Sequence, residues 1–251
     1  MNTLAASGNP VDHLRLHTIL RIDAAGLRLD ITEAVLFMWA GCAVLVGVFL
    51  VASRHSGPAT RGLRTVLEAM LLFIREDIVK RNMGSRGVRY FPLIATLFFF
   101  ILVSNWVGLV PLPFSYSATS NISVTAALAM FVFVLVQVEG LRLRGVRGYL
   151  RGFVPEGVPT MLLPLMVPIE IISALARPFS LAIRLFANML AGHLLILVFL
   201  GMSATGLWFL KAVPLVGAVL MSLFEIFVGL VQAYIFSMLT AIYLSEVVGE
   251  A

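Results

Sequence analysis

Residues 161–201, MLLPLMVPIEIISALARPFSLAIRLFANMLAGHLLILVFLG, decide the fold. At 1.5 Å rise per residue a helix of this length reaches about 60 Å, twice the roughly 30 Å hydrocarbon core of a bilayer. Two solutions fit such an excess: two spans joined by a tight turn, or one strongly tilted and bent helix. Pro164, Pro168 and Pro178 mark sites where a helix bends. The run is almost wholly apolar, yet Glu170, Arg177, Arg184, Asn188 and His193 lie inside it.

A second long apolar run covers 205–245, and shorter ones cover 34–52, 90–112 and 122–141. Each shorter run holds roughly 20 residues, enough for one crossing. Of the 251 residues 60% are apolar and only 12% charged, and mean hydropathy is +1.01. A soluble domain carries about 25% charged residues, so the chain is read as an all-α integral membrane protein with about five membrane helices. The last two are long and strongly tilted. Residues 63–82 add an amphipathic helix at the cytoplasmic surface, because Leu63, Val66, Leu67, Met70, Leu71, Ile74 and Ile78 recur at helical spacing. Residues 1–33 contain no continuous apolar core, which argues against a cleaved signal peptide.

Basic residues orient the chain. Three lie in 1–33, eight in 53–89, none in 113–121, four in 142–159, and Lys211 alone in 202–214. The alternation predicts an external N-terminal segment (1–33), five crossings and a cytoplasmic C-terminus, with 34–251 forming a single membrane domain. The net charge of +5 comes from dispersed arginines without interleaved aromatics, which excludes a nucleic-acid partner. Cys42 is the single cysteine, so there is no disulfide framework.

Charges inside a membrane are costly, about 2.5–3.5 kcal/mol for a central arginine on insertion scales, and so mark function. At 100° per residue Glu170, Ser173, Arg177, Ser180, Arg184 and Asn188 form one polar stripe. His193, nine residues beyond Arg184, faces the opposite way. On the last helix Ser222, Glu225, Gly229, Gln232, Phe236 and Tyr243 share a face able to meet that histidine. An embedded His and Glu suit a proton relay, since both load and release a proton when their surroundings shift them. Arginine stays charged, so Arg184 acts as a fixed cation that favours an ionised carboxylate nearby. No carboxylate of this chain shares its part of the stripe, which places the target on a partner subunit. Arg177 sits closer to a helix end, where snorkelling is an alternative to function.

The segment from Pro168, PIEIISALARPFSLAIRLFANMLAGHLLILVF, closely resembles subunit a of F-type ATP synthase. FEIFVGLVQAYIFSMLTAIYLSE from Phe224 resembles that family's last helix, and FPLIATLFFFILVSNWVGLVPLPFSYSATSNISVT from Phe91 its second span and following loop. The resemblance implies an ion-conducting stator subunit beside a rotating c-ring, with peripheral-stalk b subunits, membrane lipid and the proton as its other partners. It implies an energy-transducing membrane, the bacterial inner membrane. The family's essential arginine corresponds to Arg184, its asparagine one turn on to Asn188, and its glutamine on the last helix to Gln232. Its acid/imidazole pair corresponds to Glu225 and His193, and a family glutamate to Glu170. Two half-channels are implied in a conducting core of 161–248: an outer one past His193, Glu225 and Gln232 toward Asn188, and an inner one past Glu170 and Ser173. Arg177, Tyr243 and Asn105 are secondary candidates. Some relatives have an acid shortly after the second-span asparagine. Here Asn105 is followed by Gly108, which argues against an outer-channel role for this span.

No phosphate-binding GxxxxGK[ST] loop and no metal-ligand cluster occurs in the sequence, so no cofactor is expected and ATP chemistry falls to other subunits. Two other readings of the same charges are a proton-coupled secondary transporter and a structural membrane anchor. The first is disfavoured by the absence of internal repeats.

Overall fold

The computed structural model describes residues 18–24, 27–54, 57–109, 117–151, 162–205 and 211–248. Residues 1–17 of the N-terminal segment, 113–116 of the loop without basic residues, the linker 152–159 and residues 206–210 lie outside the described residues.

Among the described residues each of the five apolar runs holds one helix long and apolar enough to cross a membrane. They are α1 (Glu33–Arg54), α4 (Phe91–Gly108), α5 (Ile122–Arg151), α6 (Leu163–Thr205) and α7 (Ala212–Val248). The 43 residues of α6 contain Pro168 and Pro178 without a break, so one long helix, not a pair of spans, is what the sequence forms. At about 64 Å for α6 and 55 Å for α7, both must tilt steeply to remain within a hydrocarbon layer. In α5 Gly145 adopts φ 66°, ψ 168°, a left-handed conformation that kinks the helix near its end.

α4 is the hub. Of its membrane-spanning window 56% is buried, against 11–17% in the other four. Ile94, Phe98, Ile101 and Leu102 belong to one buried cluster that also contains Leu181 and Leu185 of α6 and Phe236 and Leu244 of α7. The apolar residues left outside, such as Phe179 and Phe227, suit lipid or a membrane partner.

The amphipathic segment buries its apolar face, Leu67, Ile74 and Ile78, in the helical core. α2 (Pro58–Phe73) runs into a wider π-helical stretch, Ile74–Lys80, and then α3 (Arg81–Met83). A π-turn advances by more residues than an α-turn, and Ile74, Ile78 and Val79 are all fully buried. Arg75, Glu76, Asp77 and Lys80 stay exposed. A 3₁₀ stretch, Ser85–Tyr90, leads into α4.

One element adds to the helical reading. β1 (Thr18–Ala24) and β2 (Leu27–Thr32) form an antiparallel hairpin that pairs Arg21 with Asp30 and Asp23 with Arg28. The alternating pattern of LRID and LRLD suits strands, whose period is two.

Candidate functional site: a polar layer between three helices

α6 and α7 lie side by side, and α4 packs against α7. His193 Nδ1 lies 2.7 Å from Glu225 Oε1, and its Nε2 lies 3.0 Å from the carbonyl oxygen of Gly108. The Glu225 side chain is 1% exposed. Its Oε2 has no hydrogen-bond partner among the described residues. Gly192 makes room for this carboxyl: a Cβ there would stand 2.7 Å from Glu225 Cδ.

Two turns along α7, Gln232 Oε1 accepts a 2.9 Å bond from Asn188 Nδ2. That bond fixes the amide and leaves Nε2 as a buried donor without a partner among the described residues. The polar face of α7 thus receives Asn188 from the α6 stripe and His193 from elsewhere on α6. The two sides of α6 are less separate than a straight helical projection implies.

Arg184 is exposed and makes no hydrogen bond or ion pair among the described residues. It lines an open groove of about 450 Å³ with Asn188, Gly192, Glu225 and Gln232. The Arg184 guanidinium and the Glu225 carboxyl therefore share one depression between α6 and α7, while His193 meets Glu225 from outside its lining. The groove opens on the side where apolar Phe224 and Phe227 are also exposed.

α4 is built into this layer. Asn105 Nδ2 donates to the Gly229 carbonyl at 3.2 Å, Trp106 Nε1 donates to the Ile226 carbonyl at 3.2 Å, and Asn105 Oδ1 accepts from Thr119 Oγ1 at 2.6 Å. The sequence set this span apart because it lacks the acid of some relatives. The structure instead joins it to the histidine through a backbone carbonyl, an interaction with no side-chain signal to find. Thr119 and Ser117, bonded to each other at 2.7 Å, were also unmarked in the sequence.

Other candidates lie apart from the layer. Arg177 pairs with the Glu246 carboxylate and stacks 5.3 Å over the Tyr243 ring. Arg144 of α5 donates to the Glu246 carbonyl. Glu170 is half-buried and Ser173 exposed, and neither makes a side-chain hydrogen bond or ion pair among the described residues. No group of three metal-ligating side chains occurs among the described residues.

Residues 35–245 match the family described as ATP synthase A chain. The chain belongs to that family. It is 39% identical to the ATP synthase subunit a of Maricaulis maris, over 96% of this chain and 97% of the relative. It is 40% identical to the subunit a of Gluconobacter oxydans, over 98% of this chain and all of the relative. The subunit a of Rhizobium leguminosarum bv. trifolii is 40% identical over 96% and 98% of the two chains. These bacterial relatives and the five apolar helices make the chain a multi-pass membrane protein of bacterial type.

Proposed function

We propose that the chain is the ion-conducting stator subunit of an F-type ATP synthase in a bacterial inner membrane, seated beside a c-ring and held by peripheral-stalk b subunits. The observation that carries this reading is the shared groove. An arginine with no hydrogen bond or ion pair among the described residues lines it together with the buried Glu225 carboxyl, on a face with exposed apolar residues, as a surface serving a passing carboxylate requires. His193, Glu225 and Gln232 form the outer proton half-channel, ending near Asn188. Glu170 and Ser173 line the inner one.

Arg184 separates the two. Its charge favours the ionised form of each ring carboxylate that passes and repels a proton crossing directly. A proton therefore travels on the ring, and translocation becomes rotation. Each charge moved gains about 2.3 kcal/mol per 100 mV of potential. The basic residues of 53–89 and 142–159 support cytoplasmic loops there, an external N-terminal segment 1–33 and an internal C-terminus. Residues 34–251 act as one membrane domain with 161–248 as its conducting core.

The test is ATP-driven proton pumping in membrane vesicles carrying Arg184→Ala, with passive proton permeability measured after the soluble ATPase part is stripped. Pumping is lost while the complex stays assembled. Normal pumping would leave the arginine without the role assigned to it.

A further inference from the structure

α4 ends at Gly108. The last carbonyls of a helix have no N–H partner within it and carry the negative end of the helix dipole. The Gly108 oxygen is one of these orphans, and it receives His193 Nε2 at 3.0 Å. A carbonyl oxygen has no proton to give, so the hydrogen in this bond belongs to Nε2. The bond to Glu225 Oε1 at 2.7 Å is then made by Nδ1, which accepts from a protonated Glu225 or donates to an ionised one.

The geometry depends on glycine at position 108. A Cβ there would lie 2.4 Å from Ser117 Cβ and 2.6 Å from Ser117 Cα. The second of these atoms belongs to the backbone, so no rotamer change relieves the clash. Ser117 is in turn fixed, fully buried and bonded to Thr119, which reaches Asn105. Ser117 thus packs against bare backbone at Gly108 and holds the last carbonyl in place.

Resting on the proposed proton path, we infer that the Gly108 carbonyl is a positioning group that keeps neutral His193 as the Nε2–H tautomer, so that Nδ1 alone exchanges the transported proton with Glu225. When the proton passes inward, the Nδ1–H bond of the imidazolium breaks and an O–H bond forms on Glu225 Oε1. The ring returns to the Nε2–H imidazole and the carboxylate becomes the acid. The reverse transfer restores both. No other reactant is needed. Without the carbonyl the ring is free to take the other tautomer or turn away, and the Nδ1 position facing Glu225 is no longer assured.

The experiment is nitrogen NMR on the whole complex in lipid, with ¹⁵N-labelled histidine and the His193 signals assigned by their loss in His193→Gln. At a pH where the ring is neutral, Nε2 is protonated and Nδ1 bare. A protonated Nδ1 with a bare Nε2 overturns the inference. In parallel, Gly108→Ala in the assembled complex slows ATP-driven pumping about tenfold, the loss equivalent to one hydrogen bond to a charged group. Gly47→Ala, at a glycine with nothing within 4 Å of an added Cβ, leaves the rate unchanged. Full-rate pumping by an assembled Gly108→Ala complex also overturns the inference. If that variant does not assemble, the tautomer of the unsubstituted complex decides alone. The tautomer is read without pumping, so its failure is distinct from a failure of the Arg184 test.

Discussion

Gly192 of α6 abuts the Glu225 carboxyl of α7 so closely that an added Cβ would lie 2.7 Å from Cδ and 2.8 Å from Oε1. Oε1 is the atom bonded to His193. Glycine here is a matter of space between two helices, not of backbone freedom. Gly192→Ala must push the carboxyl aside or spread the helices. ATP-driven vesicle acidification is expected to fall by about tenfold or more, the scale on which a positioned proton-transfer group contributes. An assembled Gly192→Ala complex that acidifies vesicles at the normal rate would show that the close His–Glu approach is dispensable.

His193 and Glu225 are joined by one hydrogen bond, and on the proposed path they act as a unit. Single substitutions His193→Ala and Glu225→Ala are expected to slow pumping without abolishing it, because water can stand in for a relay group. The double variant is expected to be no slower than the worse single one, since effects within one unit are far from additive. Rates that multiply in the double variant would mean two independent sites.

The sequence carried much of this arrangement, and for identifiable reasons. Helices α6 and α7 were legible because each is a long apolar run, 43 and 37 residues in the structure, and because the few charges stand out against apolar neighbours. The pairing of His193 with the Glu225 face followed from helical periodicity. The π-helical stretch 74–80 was not legible, since Ile74 and Ile78 fit an α-helical pattern equally well. Gly108 was read by the acid it lacks, whereas its contribution is a carbonyl that every residue possesses. Glu246 lies 69 residues from its partner Arg177, and no local pattern announces a pairing of that range.

Asn188 and Gln232 supply a test of stability. Asn188→Ala removes the donor to Gln232 Oε1 and leaves a side chain that is 1% exposed with both ends unpartnered among the described residues. A buried polar atom left unpaired costs about 1–3 kcal/mol, although bonds of this kind measured in membrane bundles average nearer 0.6 kcal/mol. Pairing Asn188→Ala with Gln232→Leu is expected to recover part of the loss. Thermal dissociation of the purified complex measures it. A double variant no more stable than Asn188→Ala alone would contradict the bond's contribution.

Arg177 and Glu246 are expected to behave differently from the groove residues. Their side chains are 32% and 46% exposed, so solvent screens the pair and its net worth is about 1 kcal/mol or less. The Tyr243 ring beneath the guanidinium adds a cation–π interaction of about the same size. Arg144 still holds the Glu246 carbonyl when the ion pair is broken, so the last turn of α7 stays tethered to α5. Glu246→Gln should therefore lower the dissociation temperature slightly and leave proton pumping within about twofold of normal, in contrast to Arg184→Ala. Pumping lost in an assembled Glu246→Gln complex would move the ion pair from the scaffold onto the proton path and extend the inner half-channel to the end of α7.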